Sequence, residues 1–139
     1  MAKIKHIALS VQDPEKTAKF YEEVFGLQRV GTTESVLASG VYLSDGEINI
    51  ALLNYKTDEM SGMATSTGGK DFVGTHHFGF QVDDADLVKK KIEKHGGKFF
   101  MDLPALKDTL YYEEKYRDPE GVIFDVSQHG WVTKAGQTK

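Results

Sequence analysis

Thr75-His76-His77-Phe78-Gly79-Phe80-Gln81-Val82-Asp83-Asp84 restates an earlier stretch, Ile4-Lys5-His6-Ile7-Ala8-Leu9-Ser10-Val11-Gln12-Asp13. A shift of 71 positions lays His6 on His77, Val11 on Val82, Asp13 on Asp84 and Gly26 on Gly97. Both stretches alternate as strands do. Ile7, Leu9 and Val11 share one face, as do Phe78, Phe80 and Val82. His6, Ala8 and Ser10 share the other, as do His77, Gly79 and Gln81. Bulky apolar faces suit packing under a helix. The smaller, more polar faces suit the wall of a cavity, and each carries a histidine at an equivalent position.

Working outward, each strand leads into a helix. Asp13-Pro14-Glu15 reads as N-cap, first helical residue and an acid near the positive end of the dipole. Ala18, Tyr21, Val24 and Phe25 recur at helical spacing, and Gly26 stops the helix. Strands are expected from Leu27, over Ser35–Leu43 with Gly40 interrupting, and over Glu47–Leu53 after an Asp45-Gly46 turn. In the second copy, Asp83 or Asp84 caps a helix whose stripe is Leu87, Val88 and Ile92, ending at His95-Gly96-Gly97. Lys98–Met101 begins a strand. Thr109–Arg117 reads as a long tyrosine-rich strand, Asp118-Pro119-Glu120-Gly121 as a turn, and Val122–Ser127 as the last strand. The chain therefore reads as two strand–helix–three-strand modules, residues 1–57 and 72–133, forming one α+β domain. Residues 58–71, polar, glycine-rich and aperiodic, read as a linker.

The bulk composition limits the functions. With 139 residues and 40% hydrophobic content, the chain can bury one substantial core. A formal charge of −4 gives no broad basic surface for nucleic acid or anionic lipid. Cysteine is absent, which excludes disulfides, thiolate nucleophiles and cysteine-ligated zinc. No apolar run has the length of a membrane span, and the start lacks a signal-peptide core, so a cytoplasmic location is expected.

The opposite face of the first and last strands carries His6 in one module, and His77 with Asp125 in the other. Two imidazoles and a carboxylate suit divalent iron, manganese, zinc or nickel and leave positions open for substrate or oxygen. Such a centre can polarise a carbonyl or enolate oxygen. A single strand histidine is more often structural, but the repeat places two at matching positions.

At these residues the chain resembles the vicinal oxygen chelate superfamily, the glyoxalase, bleomycin-resistance and extradiol dioxygenase group. The resemblance rests on the βαβββ repeat, the His6 and His77 strands, Phe20-Tyr21-Glu22-Glu23-Val24-Phe25-Gly26-Leu27 and Tyr116-Arg117-Asp118-Pro119-Glu120-Gly121. It covers about residues 3 to 131. It implies a curled, cup-shaped mixed sheet with helices outside, and metal ligands from the first and last strands of each module. His6 and His77 match two ligand positions. Asp125 matches a third, where the family's metalloenzymes usually carry glutamate. Aspartate is one methylene shorter, which holds its oxygens back by about 1.5 Å. It is expected to bind through water, to hold an ion that sits off-centre, or not to bind.

The remaining site candidates are positions on the cup that the resemblance implies, with Asn49 chosen over Ile50 by strand face. Asn49 is read as a fourth ligand or substrate contact, and Glu47 as the one first-module candidate for a catalytic base. Tyr112, Tyr116 and Arg117 are candidates for substrate binding. The expected activity is that of a metal-dependent lyase, isomerase or ring-cleaving oxygenase chelating vicinal oxygens of a small substrate. The alternative is a metal-free cup that sequesters a small molecule, as bleomycin-resistance members do. Family members commonly pair, so a homodimer is expected, with no nucleic-acid or membrane partner.

Overall fold

The structure, a computed structural model, describes residues 1–137. In chain order it comprises β1 (Lys3–Ser10), α1 (Pro14–Phe25), β2 (Gln28–Glu34), β3 (Ala38–Ser44), β4 (Asn49–Tyr55) and α2 (Asp58–Ser61). There follow β5 (Gly74–Gln81), α3 (Ala85–Lys94), β6 (Lys98–Asp102), β7 (Glu114–Arg117) and β8 (Ile123–Ser127). Strand, helix and three strands occur twice, as the repeat requires. Two compact units divide the described chain: residues 1–6 with 77–131, and residues 7–76 with 132–137. The unit boundary falls within β1, so His6 belongs with the second copy's strands. Among the described residues no helix is long and apolar enough to cross a membrane.

In the 7–76 unit the strand order is β2-β3-β4-β1. Its core gathers Val11, Ala18, Val41, Leu43 and Leu52, with Leu9, Tyr21, Leu27 and Ile50 packed against it. These are the alternate strand residues that face α1. Asp13 Oδ1 accepts from Lys16 N at 3.1 Å, and Gly26 N closes the helix on Glu22 O at 3.0 Å. Val24 and Phe25, which recur with Ala18 and Tyr21 at helical spacing, are exposed, and Leu27, just past the helix, packs against the core.

Gly40 does not interrupt its strand. It pairs with Leu53 in mid-ladder, and a Cβ there would lie 2.5 Å from Leu52 O and 2.7 Å from Leu53 Cδ2. The close approach explains the residue. Gly40→Ala is expected to destabilise the protein by about 1–3 kcal/mol. Thermal unfolding checks this, and an unchanged midpoint would show that β4 can withdraw at no cost. Residues 58–71 are not irregular throughout. Thr57 caps α2, 3₁₀ turns occupy Thr65–Thr67 and Gly69–Asp71, and Asp58 Oδ1 accepts from Lys70 N at 2.8 Å.

In the other unit the order is β5-β8-β7-β6. β8 runs parallel to β5 and antiparallel to β7, so the sheet is mixed. Its core joins Val82, Tyr116 and Val126 to Phe80, Ala85, Val88, Ile92 and Phe124. Asp84 caps α3 by accepting from Leu87 N at 3.0 Å. Leu87 itself is turned outward, and Ala85 takes the place expected for it. The expected strand from Thr109 begins only at Glu114. Before it, Tyr112 N turns back to Thr109 O at 3.2 Å and Tyr111 N to Thr109 Oγ1 at 3.1 Å. The Asp118–Gly121 turn closes through Gly121 N to Asp118 O at 2.9 Å, with Asp118 Oδ1 accepting from Glu120 N and Val122 N. This turn fixes the register that sets Lys115 opposite Asp125.

Candidate metal centre

The centre lies within the 1–6 and 77–131 unit. β1 carries His6, β5 carries His77 and β8 carries Asp125. Parallel pairing sets Gly79 beside Asp125, and antiparallel pairing sets Lys115 beside it on the other side. The alternation that sends Phe80, Phe124 and Val126 under α3 sends His77 and Asp125 to the opposite face. His6, His77 and Asp125 are all buried.

The three donor atoms form a small triangle. His6 Nε2 and His77 Nε2 lie 3.2 Å apart, His77 Nε2 and Asp125 Oδ2 2.9 Å, and His6 Nε2 and Asp125 Oδ2 3.8 Å. A circle through corners with those separations has a radius of about 2 Å, the bond length of imidazole nitrogen and carboxylate oxygen to zinc. The donor set and its spacing therefore fit a divalent ion. Asp125 Oδ2 lies 2.9 Å from the nearer imidazole nitrogen.

Two further side chains enter from the turn and strand before β8. Glu113 brings a carboxylate, and His6, His77, Glu113 and Asp125 each offer a ligand atom within 4.8 Å of the others. Lys115, itself 4% exposed, places Nζ 3.2 Å from Asp125 Oδ1, 3.0 Å from Asp125 Oδ2 and 3.0 Å from Glu113 Oε1. Buried carboxylates are costly without such a partner. Trp131 stacks on the His6 ring, with centroids 4.8 Å apart and planes 3° from parallel, and its Nε1 donates to Glu113 Oε2 at 2.6 Å.

Glu47 sits exposed in the bend before β4, its backbone N held by Asp45 Oδ1, and Asn49 spends its amide on Val132 O at 2.7 Å. Both belong to the 7–76 unit. Tyr116 faces α3, fully buried between Phe99 and Phe124, on the face away from Asp125. The substrate contact expected of it is thus replaced by a core role. Tyr112 donates its hydroxyl to Asp102 Oδ2 at 2.9 Å, and burial with that carboxylate pushes the phenol's pKa upward. Arg117 bonds Gly121 O at 3.3 Å and covers the Phe100 ring. His76, on the opposite face of β5, lies between Tyr55 Oη at 3.3 Å and Ser61 O at 2.6 Å.

Glu113 and Lys115 are not among the ligand or base candidates named from the sequence, where the tyrosine-rich strand is read for substrate contacts. The signal was present. Counting back across the Asp118–Gly121 turn pairs Arg117 with Ile123 and Lys115 with Asp125, which puts Lys115 on the acid's side.

Fold and centre together define a class: an α+β protein of two βαβββ modules with a histidine–carboxylate group on the face away from the helices. The chain belongs to the Glyoxalase/Bleomycin resistance protein/Dioxygenase superfamily, whose family model matches residues 3–126. It is 26% identical to a probable lactoylglutathione lyase of Vibrio parahaemolyticus, over 91% of each protein. It is 30% identical to a probable trivalent organoarsenical cleaving enzyme of Bacillus subtilis, over 86% of this chain and 75% of that protein. In fold it is similar to methylmalonyl-CoA epimerase from Mycobacterium tuberculosis, with a TM-score of 0.69 and 16% identity over 88% of this chain and 85% of that one.

Proposed function

We propose that the protein is a divalent-metal-dependent enzyme of the lyase or isomerase kind, acting on a small substrate with two neighbouring oxygens. The observation that carries this reading is the triangle of His6 Nε2, His77 Nε2 and Asp125 Oδ2, sized for an ion, with a fourth donor in Glu113. The enzymatic names of the relatives support it. A divalent ion held there supplies Lewis acidity toward substrate oxygens.

The chain's own residues divide the rest of the work. His6, His77 and Asp125, the most buried, hold the ion. Glu113 is the proton acceptor. Its side chain is 19% exposed against 0% for Asp125 and 1% for His77, so it is the member a substrate can meet. Trp131 and Lys115 each hold one of its oxygens and so fix its orientation. A carboxylate set beside the donor triangle suits proton transfer at a carbon next to a carbonyl, and this favours lyase or isomerase chemistry over oxygen activation.

The test is deuterium uptake from D2O at the carbon next to the carbonyl. The substrates are a panel of α-hydroxy thioesters and α-keto hemithioacetals, lactoylglutathione among them, with manganese, iron, zinc or nickel in turn. Exchange is expected with at least one substrate, and Glu113→Gln is expected to slow it by about a hundredfold or more. No exchange across the panel, in protein carrying one ion per chain, would overturn the proton-transfer reading. The metal-free sequestering alternative is favoured by one observation, the Lys115 ammonium set against both carboxylates.

A further inference from the structure

We propose that Lys115 is a resident rival of the divalent ion: its ammonium keeps the ion-free centre assembled and lowers the centre's affinity for every divalent ion. The inference rests on the reading that an ion binds at His6, His77 and Asp125. Its basis is one shared atom. Asp125 Oδ2 lies 3.0 Å from Lys115 Nζ and 2.9 Å from His77 Nε2, so the oxygen that completes the donor triangle is already engaged by a cation. The same ammonium holds Asp125 Oδ1 at 3.2 Å and Glu113 Oε1 at 3.0 Å. Both carboxylates of the donor group are therefore paired by one charge that arrives with the polypeptide.

Two consequences follow from electrostatics. Asp125 is completely buried, and without a partner its charge would be strongly unfavourable there. Lys115 supplies that partner whenever no ion is present. An incoming ion must then share or displace it, and two cations on one oxygen repel strongly in a site with little water. Neutralising residue 115 removes the repulsion and the pairing together. Affinity for the ion rises, and the ion-free protein becomes less stable.

The experiment compares the parent chain with Lys115→Met and Lys115→Gln, all without a histidine tag and stripped with a chelator. Isothermal titration with Mn2+ and with Zn2+ gives affinity and stoichiometry, and thermal unfolding with and without ion gives the second readout. Both variants are expected to bind each ion about tenfold or more tightly than the parent. Their ion-free midpoints are expected to fall, and their midpoints to gain more from added ion. Lys115→Gln keeps a neutral donor toward the carboxylates, so it carries the comparison if Lys115→Met folds only with ion present. A parent that binds one ion while neither variant binds it more tightly overturns the rival role and leaves the ion site standing. Binding in the variants alone, lost again on adding His77→Ala, supports the rival role and overturns metal-dependent action by the native chain. Absence of binding in all three overturns both.

Discussion

Replacing His77 by alanine is expected to lower divalent-ion affinity by about a hundredfold or more. His77 has the two shorter sides of the donor triangle, 3.2 Å to His6 and 2.9 Å to Asp125, so no pair left behind encloses an ion as closely. His6→Ala is expected to act in the same direction, and Asp125→Asn more weakly, since the amide keeps one neutral oxygen. The neighbouring His76 supplies the control. It is buried between Tyr55 Oη and Ser61 O on the other face of β5. His76→Ala should leave ion affinity unchanged while costing about 1–3 kcal/mol of stability, the scale for buried polar groups left unpaired. Titration calorimetry and thermal unfolding on the two alanine variants check both halves. Stoichiometric ion in His77→Ala at parental affinity would show that the ligands are misassigned.

The second large effect is expected at Gly79. A Cβ at this position would lie 2.7 Å from Trp131 Cη2, 2.8 Å from Trp131 Cζ2 and 3.1 Å from His6 Cβ. The missing side chain is what lets the indole lie flat on the His6 ring and reach Glu113 with Nε1. Gly79→Val would force Trp131 out of that position. A stability loss of about 2–3 kcal/mol is expected, together with weaker ion binding, because His6 and Glu113 lose the group that orients them. Removing the obstacle separates strain from simple loss of packing. In the Gly79→Val, Trp131→Ala double variant the two stability costs should be clearly less than additive. Additive costs, measured by chemical denaturation, would mean that Gly79 and Trp131 act independently.

These expectations depend on features of unequal legibility in the sequence. The duplicated strand was plain, because the period-two pattern and a capped helix occur twice at a fixed offset. His6, His77 and Asp125 could be set on the face away from the helices for the same reason: Phe80, Val82, Phe124 and Val126 demand the helix side. Glu113, Lys115 and Trp131 were harder. Glu113 lies just before β7, outside its ladder, where alternation says nothing about direction. Tyr116 misled, because an aromatic on a strand serves a core and a cavity wall equally well, and here it belongs to the core. Trp131 lies beyond the last strand, and only the absence of a side chain at Gly79 marks the place it fills.

Glu47 and Asn49 rest on the symmetry of the repeat. The repeat suggested that the first module should mirror the second, with a donor on its last strand. Instead Asn49 bonds Val132 O and Glu47 belongs to an exposed bend. The second copy carries the carboxylates and the ammonium, and the first contributes its histidine. Duplication preserved the backbone plan and the paired imidazoles, while the charged residues followed the register of one hairpin, β7–β8, which no symmetry argument reaches.

The central claim is that these imidazoles and carboxylates hold an ion. Its most direct test is elemental analysis of tag-free protein equilibrated with manganese, iron, zinc or nickel and then dialysed, read with the thermal midpoint. About one ion per chain for at least one metal is expected, with a midpoint rise of roughly 8 °C at hundredfold excess over Kd. Less than about 0.1 ion per chain for all four, with no rise in midpoint, would contradict it.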